Sequence, residues 1–295
     1  MLRLRAPRIA AIRPHRQLIR VSLERFTKHR SLVFGLSVLF LIVFAGIGAE
    51  FIAPYDPTQN DLSKSLQSPD RNHWLGTDIL GRDILSRLIY GSRTALFIAV
   101  AGASTAAASG MFLGLIAGYA GGWFSAVIMR MIDALMCFPM LVLALLVSVV
   151  LGGGIISVVI ALGISSVAIY TRLMNGLVLG IKEKDYVTAA RAMGASSFRI
   201  LTKHILPNAL PVMIIRIGVH LGSLILAESG LSFLGVGVKP PGASWGAMIA
   251  DGYAYIATNP VIAIAPGVAL MMVAFSCNTV GDALRDIYDP RLNNV

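Results

Sequence analysis

Charged residues are few in this sequence: 14% of 295 positions, against 56% hydrophobic ones, with a mean hydropathy of +0.75. A soluble domain typically carries about 25% charge. The balance here excludes an ordinary water-soluble globule and bounds the chain to a polytopic membrane protein. Cysteine is nearly missing. Cys137 and Cys277 both lie in apolar runs, offer neither a disulfide framework nor zinc-ligand spacing, and read as buried spectator thiols. The five histidines, His15, His29, His73, His204 and His220, are scattered without ligand spacing, so no metal site is expected. No G-x-x-x-x-G-K-[ST] or H-E-x-x-H occurs. The chain therefore reads as a non-enzyme that needs no cofactor and cannot grip ATP by a phosphate loop.

The charge that is present is unevenly placed. Nine of the 25 Lys and Arg precede Ser31, opposed only by Glu24. No aromatic or groove-reading motif accompanies them, so nucleic acid is not expected as a partner. A cytoplasmic tail beside anionic membrane lipid is the better reading. The first apolar run is too long for a signal-peptide core and reads as a retained anchor.

A membrane-spanning helix needs roughly 20 mostly apolar residues. Six runs qualify, at 32–52, 95–119, 126–151, 155–179, 209–233 and 261–280. The third and fourth are separated by the Gly152-Gly153-Gly154 reversal, and Pro139 is expected to kink the third. The distribution of Lys and Arg puts the N-terminal tail, the turn at Gly121-Gly122, the island at 185–208 and the C-terminal tail inside, with 53–94 and 235–260 outside. Both termini are then cytoplasmic.

The polar island DYVTAARAMGASSFRILTKHILPN organises the rest. Asp185 is the expected N-cap of a short helix through Met193, which Gly194 stops. Ser196 or Ser197 caps a second short helix, closed by Pro207. Ala189 and Ala190, side by side, would let another protein approach the backbone closely. A plain interfacial connector is the bland alternative.

This island resembles the signature loop of the transmembrane permease subunits of bacterial ABC importers: EAA, three residues, G, nine residues, I-x-L-P. Thr188-Ala189-Ala190 stands in the EAA slot, Gly194 at the proper distance, and Leu206-Pro207 at the end. Thr188 replaces the acid, and His204 occupies the Ile slot with Ile205 beside it. The outer segment HWLGTDILGRDILSRLIYGSR, the stretch SFLGVGVKPPGASWGAMIADG and the closing GDALRDIYDPRL are similar to the peptide/nickel branch of these permeases, in its C-type subunit. The resemblance covers about 32–292. It implies an all-α type I importer fold with six transmembrane helices in the bacterial inner membrane. It divides the chain into a basic tail (1–30), a first helix with its outer segment (31–92), a five-helix core (93–285) whose coupling loop is 181–207, and a C-terminal tail (286–295). It implies as partners a homologous second permease subunit in a heterodimer, two ABC ATPase subunits and a periplasmic or lipid-anchored substrate-binding protein, with a peptide, nickel or glutathione-like solute as cargo. Asp185, Thr188, Ala189, Ala190, Gly194, Leu206 and Pro207 would form the ATPase-coupling loop. The rival reading, an ion-gradient-driven secondary transporter, calls for inverted repeats and a charged mid-plane site, and neither is visible.

Other residues carry hypotheses of their own. Gly110, Gly114 and Gly118 repeat every fourth position and should let two helices approach closely, as should the pairs Gly218/Gly222 and Gly176/Gly180. Ionisable residues inside spans are functional candidates. Glu228 and His220 are the possible pathway-lining residues, with interfacial hydrogen bonding as the plainer role of Glu228. Arg130 and Asp133 are expected to pair within one helix, and Asp83 with Arg87 in another.

Overall fold

The computed structural model describes residues 30–288. The basic tail before residue 30 and the last residues of the closing motif lie outside that range. Helix α1 (Arg30–Ile47) is followed by the short α2 (Ala49–Ile52). The outer segment then holds only one 3₁₀ turn, Leu62–Lys64, before α3 (Ile84–Ala120). Glycines at φ +67° and +58° (Gly121, Gly122) turn the chain into α4 (Gly122–Met136). After it come α5 (Met140–Val150), the three-glycine reversal, and α6 (Ile155–Lys182). The island forms α7 (Asp185–Ala192) and α8 (Ser197–Ile200), and leads into α9 (Leu206–Phe233). A short helix α10 (Trp245–Tyr253) precedes α11 (Val261–Tyr288). No strand forms among the described residues.

Four of the expected spans are helices long and apolar enough to cross a bilayer: α3, α6, α9 with its island extension, and α11. The third run is not one kinked span. Its two helices, α4 and α5, bend by 92° at Cys137–Pro139, because proline cannot donate its share of the helical ladder and its ring crowds the preceding turn. The first run is interrupted near Gly48, leaving Leu32–Ile47 as a shorter apolar helix. Six spans are thus reached only by counting the bent pair as one and the short helix as another. Cys137 is exposed at the break, not buried as expected, while Cys277 is buried.

The core runs along the contact of α3 and α6. Small residues of α3 (Ala95, Ala99, Ala103, Ala106, Ala107) are all buried. A Cβ at Gly110 would lie 2.6 Å from Tyr170 Cβ, one at Gly114 2.5 Å from the Thr171 carbonyl oxygen, and one at Gly118 2.7 Å from Val178 Cβ. These glycines permit a backbone-to-backbone approach that no other residue allows. Gly222 similarly faces Cys277 on α11, at 3.0 Å. Gly176 and Gly180 do not share this role, since nothing lies within 4 Å of a Cβ at either. One apolar cluster (Ile98, Leu162, Leu224, Ile225, Leu231, Trp245) fills the half away from the island, and a second (Tyr170, Met174, Val178, Val187, Ile200, Ile205, Met213) carries the core to the island.

Candidate functional site

The island is built from its caps inward. Lys184 takes the N-cap position of α7 without a side-chain bond. Asp185 is the first helical residue rather than the expected cap, although its carboxylate still meets the positive end of the helix. Thr188 accordingly sits one place beyond the position where an acid would complete a capping box. The helix ends in a Schellman turn. Gly194 N–H donates to the Arg191 carbonyl at 3.0 Å, and Ala195 N–H to the Ala190 carbonyl at 3.0 Å. Gly194 has φ +81°, a region that costs an L-residue roughly 1–2 kcal/mol. The space beside it is open, so conformation and not crowding requires the glycine. Ser196 then caps α8, its Oγ accepting from Arg199 N–H at 3.3 Å.

Pro207 does not close this second helix. The chain continues through a π-helical turn, Leu201–Ile205, straight into α9. Leu206 N–H reaches back five residues, to the Leu201 carbonyl. The wider turn makes room for a ring that would otherwise strike the carbonyl four residues earlier.

One side of the island is inside the protein. Val187, Ala190, Ile200 and Ile205 are buried, so Ala190 packs inward and only Ala189 of the pair faces out. The other side presents apolar groups that the chain itself leaves uncovered: Tyr186, Met193 at 83% and Phe198 at 76% exposure, around exposed Thr188 and Arg191. Leu206 is half-buried and Pro207 exposed. Lys182 Nζ donates to the Gly118 carbonyl at 3.1 Å, tying the start of the island to the end of α3.

Glu228 and His220 are not on an open surface of this chain. Glu228 is fully buried. Its carboxylate accepts from Ser232 Oγ at 2.7 Å, Ser244 Oγ at 2.9 Å and Ser229 Oγ at 3.3 Å. Ser232 Oγ in turn accepts from Val238 N–H at 3.2 Å. Within this chain Glu228 is thus enclosed, and its carboxylate joins α9 to the loop that follows it. The i, i+4 spacing of Glu228 and Ser232 was visible in the sequence, but Ser244, sixteen residues away, carries no local signal. His220 is buried with Nδ1 3.0 Å from the Tyr170 hydroxyl.

Charged residues elsewhere also choose partners other than the nearest in sequence. Asp133 pairs with Arg172 of α6 at 2.5 Å and not with Arg130. Asp83 caps α3, accepting from Ser86 N–H at 2.8 Å and lying 2.9 Å from His73 Nδ1. Arg87 turns instead to Asp78 at 3.4 Å, where Arg82 also lands at 2.7 Å. Arg82 further approaches Asp251 of α10 at 3.7 Å. These buried ions hold the outer segment on the helical core. Gly76 and Gly81, at φ +77° and +72°, let the backbone of 61–67 lie directly against them. Trp245 donates its indole N–H to the Leu88 carbonyl at 2.9 Å and fills the space above Gly91. Among the described residues no cluster of His, Cys, Asp and Glu could hold a metal ion.

Comparison with known proteins agrees with this architecture. Residues 110–294 match the family model "binding-protein-dependent transport system inner membrane component". Residues 17–69 match the "N-terminal TM domain of oligopeptide transport permease C". The chain is 40% identical over 272 residues to a putative peptide transport system permease protein of Brucella abortus, covering 91% of this chain and 90% of the relative. It is 37% identical to a glutathione transport system permease protein of Pectobacterium atrosepticum (92% and 90% covered). It is 34% identical to a dipeptide transport system permease protein of Alkalihalophilus pseudofirmus (93% and 90% covered). A solved methionine ABC transporter in an inward-facing conformation superposes with a TM-score of 0.58 at 18% identity, over 70% of this chain and 98% of that one; at that identity it speaks for the fold. The chain belongs to the family of binding-protein-dependent transport system inner membrane components, as an ABC importer permease of the peptide branch.

Proposed function

We propose that this permease forms half of a translocation pathway for a peptide or a related small solute, opposite a homologous second permease subunit. Family membership decides for ATP-driven import over an ion-gradient-driven secondary transporter. The finer reading assigns ATP hydrolysis to two partner ATPase subunits and cargo delivery to a substrate-binding protein on the outer side. Peptide-like cargo is supported by the printed names of the relatives, which speak of peptides, dipeptides and glutathione. An orientation with both termini in the cytoplasm is supported by the basic tail and the island, both of which favour the inner face.

The observation that carries the reading is the island's uncovered apolar side. Tyr186 and Phe198 stand exposed on two short helices, and Met193 at the end of the first, over buried Val187, Ala190, Ile200 and Ile205. Such a surface fits a groove on a cytoplasmic ATPase, in the manner of a helix laid into a cleft. Asp185, Thr188, Ala189, Gly194, Leu206 and Pro207 serve it by shaping the two turns and their outer face, and Ala190 by packing it to the core. Because the island runs into α9 without a break, movement of the ATPase subunits passes directly into a membrane helix. Reconstitution with the ATPases and the binding protein tests this. Uptake that requires ATP and the binding protein is expected, and uptake by the isolated chain would overturn it.

A further inference from the structure

The charges of α4 and α6 define a face that this chain leaves largely uncovered. Asp133 and Arg172 pair across the two helices, yet their side chains remain 40% and 51% exposed. Arg130, one turn before Asp133, is exposed as well. Depth can be counted from two ends. Arg172 lies ten residues before Lys182 in α6, about 15 Å at 1.5 Å per residue. Asp133 lies eleven residues after Gly122 in α4, about 16 Å by the same rise. The two starting points are level with each other, because Lys182 reaches the Gly118 carbonyl just before the Gly121–Gly122 turn. Half of a bilayer's hydrocarbon core is about 15 Å. The ion pair therefore sits near mid-membrane, where charge does not face lipid without a large penalty.

The same strip of α6 continues toward the cytoplasm as Gly176 and Gly180, four and eight residues beyond Arg172. A Cβ at either would meet nothing within 4 Å. This contrasts with Gly110, Gly114 and Gly118, which are pressed against a neighbour. Glycines without a packing partner, in line with uncovered charges, leave room for something outside this chain. Two arginines and one aspartate give that face a net charge of +1.

We propose that Arg130, Asp133 and Arg172 form the mid-membrane wall of the aqueous pathway, and that the excess positive charge receives carboxylate groups of the cargo as it passes. Gly176 and Gly180 continue that wall toward the cytoplasm. The assignment rests on the importer reading above. A guanidinium offers several N–H donors in a fixed fork suited to a carboxylate. Partial neutralisation by Asp133 keeps Arg172 from holding an anion so tightly that it cannot leave.

The test uses the complete complex with its ATPase subunits in lipid nanodiscs, in a Cys137→Ser, Cys277→Ala background. Gly176→Cys introduces a thiol where there is space for it. A membrane-impermeant anionic thiol reagent should modify it without nucleotide. The rate should exceed that at Phe40→Cys, which is exposed on apolar α1, by about tenfold or more. The anionic reagent should outpace its cationic counterpart, and Arg130→Gln with Arg172→Gln should abolish that preference. Arg172→Gln should also lower uptake of a cargo with a free carboxylate more than uptake of the same cargo amidated. A rate equal to that of Phe40→Cys would place the strip against lipid. Silence toward water-soluble reagents in every nucleotide state, or ready cross-linking to the second permease, would make it a protein interface. Equal losses for free and amidated cargo would remove the carboxylate role. Each of these outcomes refutes the proposal while ATP-driven uptake by the cysteine-replaced parent complex still upholds the importer; loss of that uptake would indict the importer reading itself.

Discussion

Replacing Gly114 by alanine should lower stability and replacing Gly176 should not, although both glycines lie inside long apolar helices. At Gly114 the added Cβ would sit 2.5 Å from the Thr171 carbonyl oxygen, 2.7 Å from Met174 Cβ and 3.0 Å from Asn175 N. Nonbonded carbon pairs are at rest near 3.5–4.0 Å, so α3 and α6 must part by about 1 Å at that level. The obstacles are mostly backbone atoms, which cannot rotate away. Overpacking of this kind costs about 1–3 kcal/mol. At about 2–4 °C per kcal/mol for a chain of a few hundred residues, the melting temperature should fall by about 2–12 °C. Gly114→Leu, with three more carbons to place, should fail to assemble. At Gly176 nothing lies within 4 Å, and the intrinsic helix preference for Ala over Gly, up to about 1 kcal/mol, should hold the melting temperature level or raise it. Thermal melts of the purified complex in one detergent, read by tryptophan fluorescence, would decide it. Equal shifts at the two sites would show that the α3–α6 contact does not depend on glycine.

Further outcomes follow from the other sites. Gly194→Asp forces a side chain into φ +81° on the exposed turn; the protein should insert normally while binding-protein-stimulated ATP hydrolysis is lost, and normal stimulation would leave the island a mere connector. Asp78→Asn strips two buried arginines of their shared carboxylate, a change worth about 3–5 kcal/mol, so folded protein recovered from membranes should drop steeply, whereas full yield would mean that the outer segment is held by other contacts. Glu228→Leu leaves the hydroxyls of Ser232 and Ser244 without their acceptor, at about 1–3 kcal/mol for each unsatisfied group; protease should then cut the 234–244 loop faster than in Glu228→Gln, and identical digestion of the two variants would count against the anchor. Burial pushes the Asp251 carboxyl up, against the pull of Arg82. The folded state then holds that proton more firmly than the unfolded chain, so this group's contribution to stability is lost as pH rises above the ordinary carboxylate range. Asp251→Asn should flatten that part of the melting curve against pH, and an unchanged slope would assign it to another group. Arg71→Cys should label from the outside and Glu183→Cys only from the inside, both being exposed; the reverse pattern would invert the topology.

Much of the helical framework was legible because hydrophobic runs and glycine periodicity are local signals. The Gly110–Gly114–Gly118 face could be read from its spacing alone, since three glycines four apart must share a side of one helix. The same spacing misled at Gly176 and Gly180, because periodicity says which residues share a face and not what faces them. Ion pairing was read poorly for a similar reason. Asp83 and Arg87 have a suitable spacing, but the cap of α3 claims Asp83 and the buried Asp78 claims Arg87. Asp133 lies three residues from Arg130 and thirty-nine from Arg172, yet the distant partner wins through the packing of α4 on α6. At the island, the stop at Gly194 was predictable from chemistry, whereas the start was misjudged by one residue. The inward turn of Ala190 needed the partner helix to be seen. Pro207 was expected to end a helix because proline usually does, and the relief available from a widened turn leaves no mark in the sequence.

The π-helical turn at Leu201–Ile205 has a consequence for phase. An α-helix advances about 100° per residue, and a turn closed over five residues instead of four absorbs one residue more than the regular ladder would. A helical wheel drawn straight from Ser197 to Phe233 therefore places Phe198 about 100° away from its true bearing relative to the lower part of α9. Residues on the two sides of the turn belong to separate wheels. Shortening the turn by one residue would rotate the whole island about the span's axis, swinging Met193 and Phe198 away from their present direction without touching either side chain.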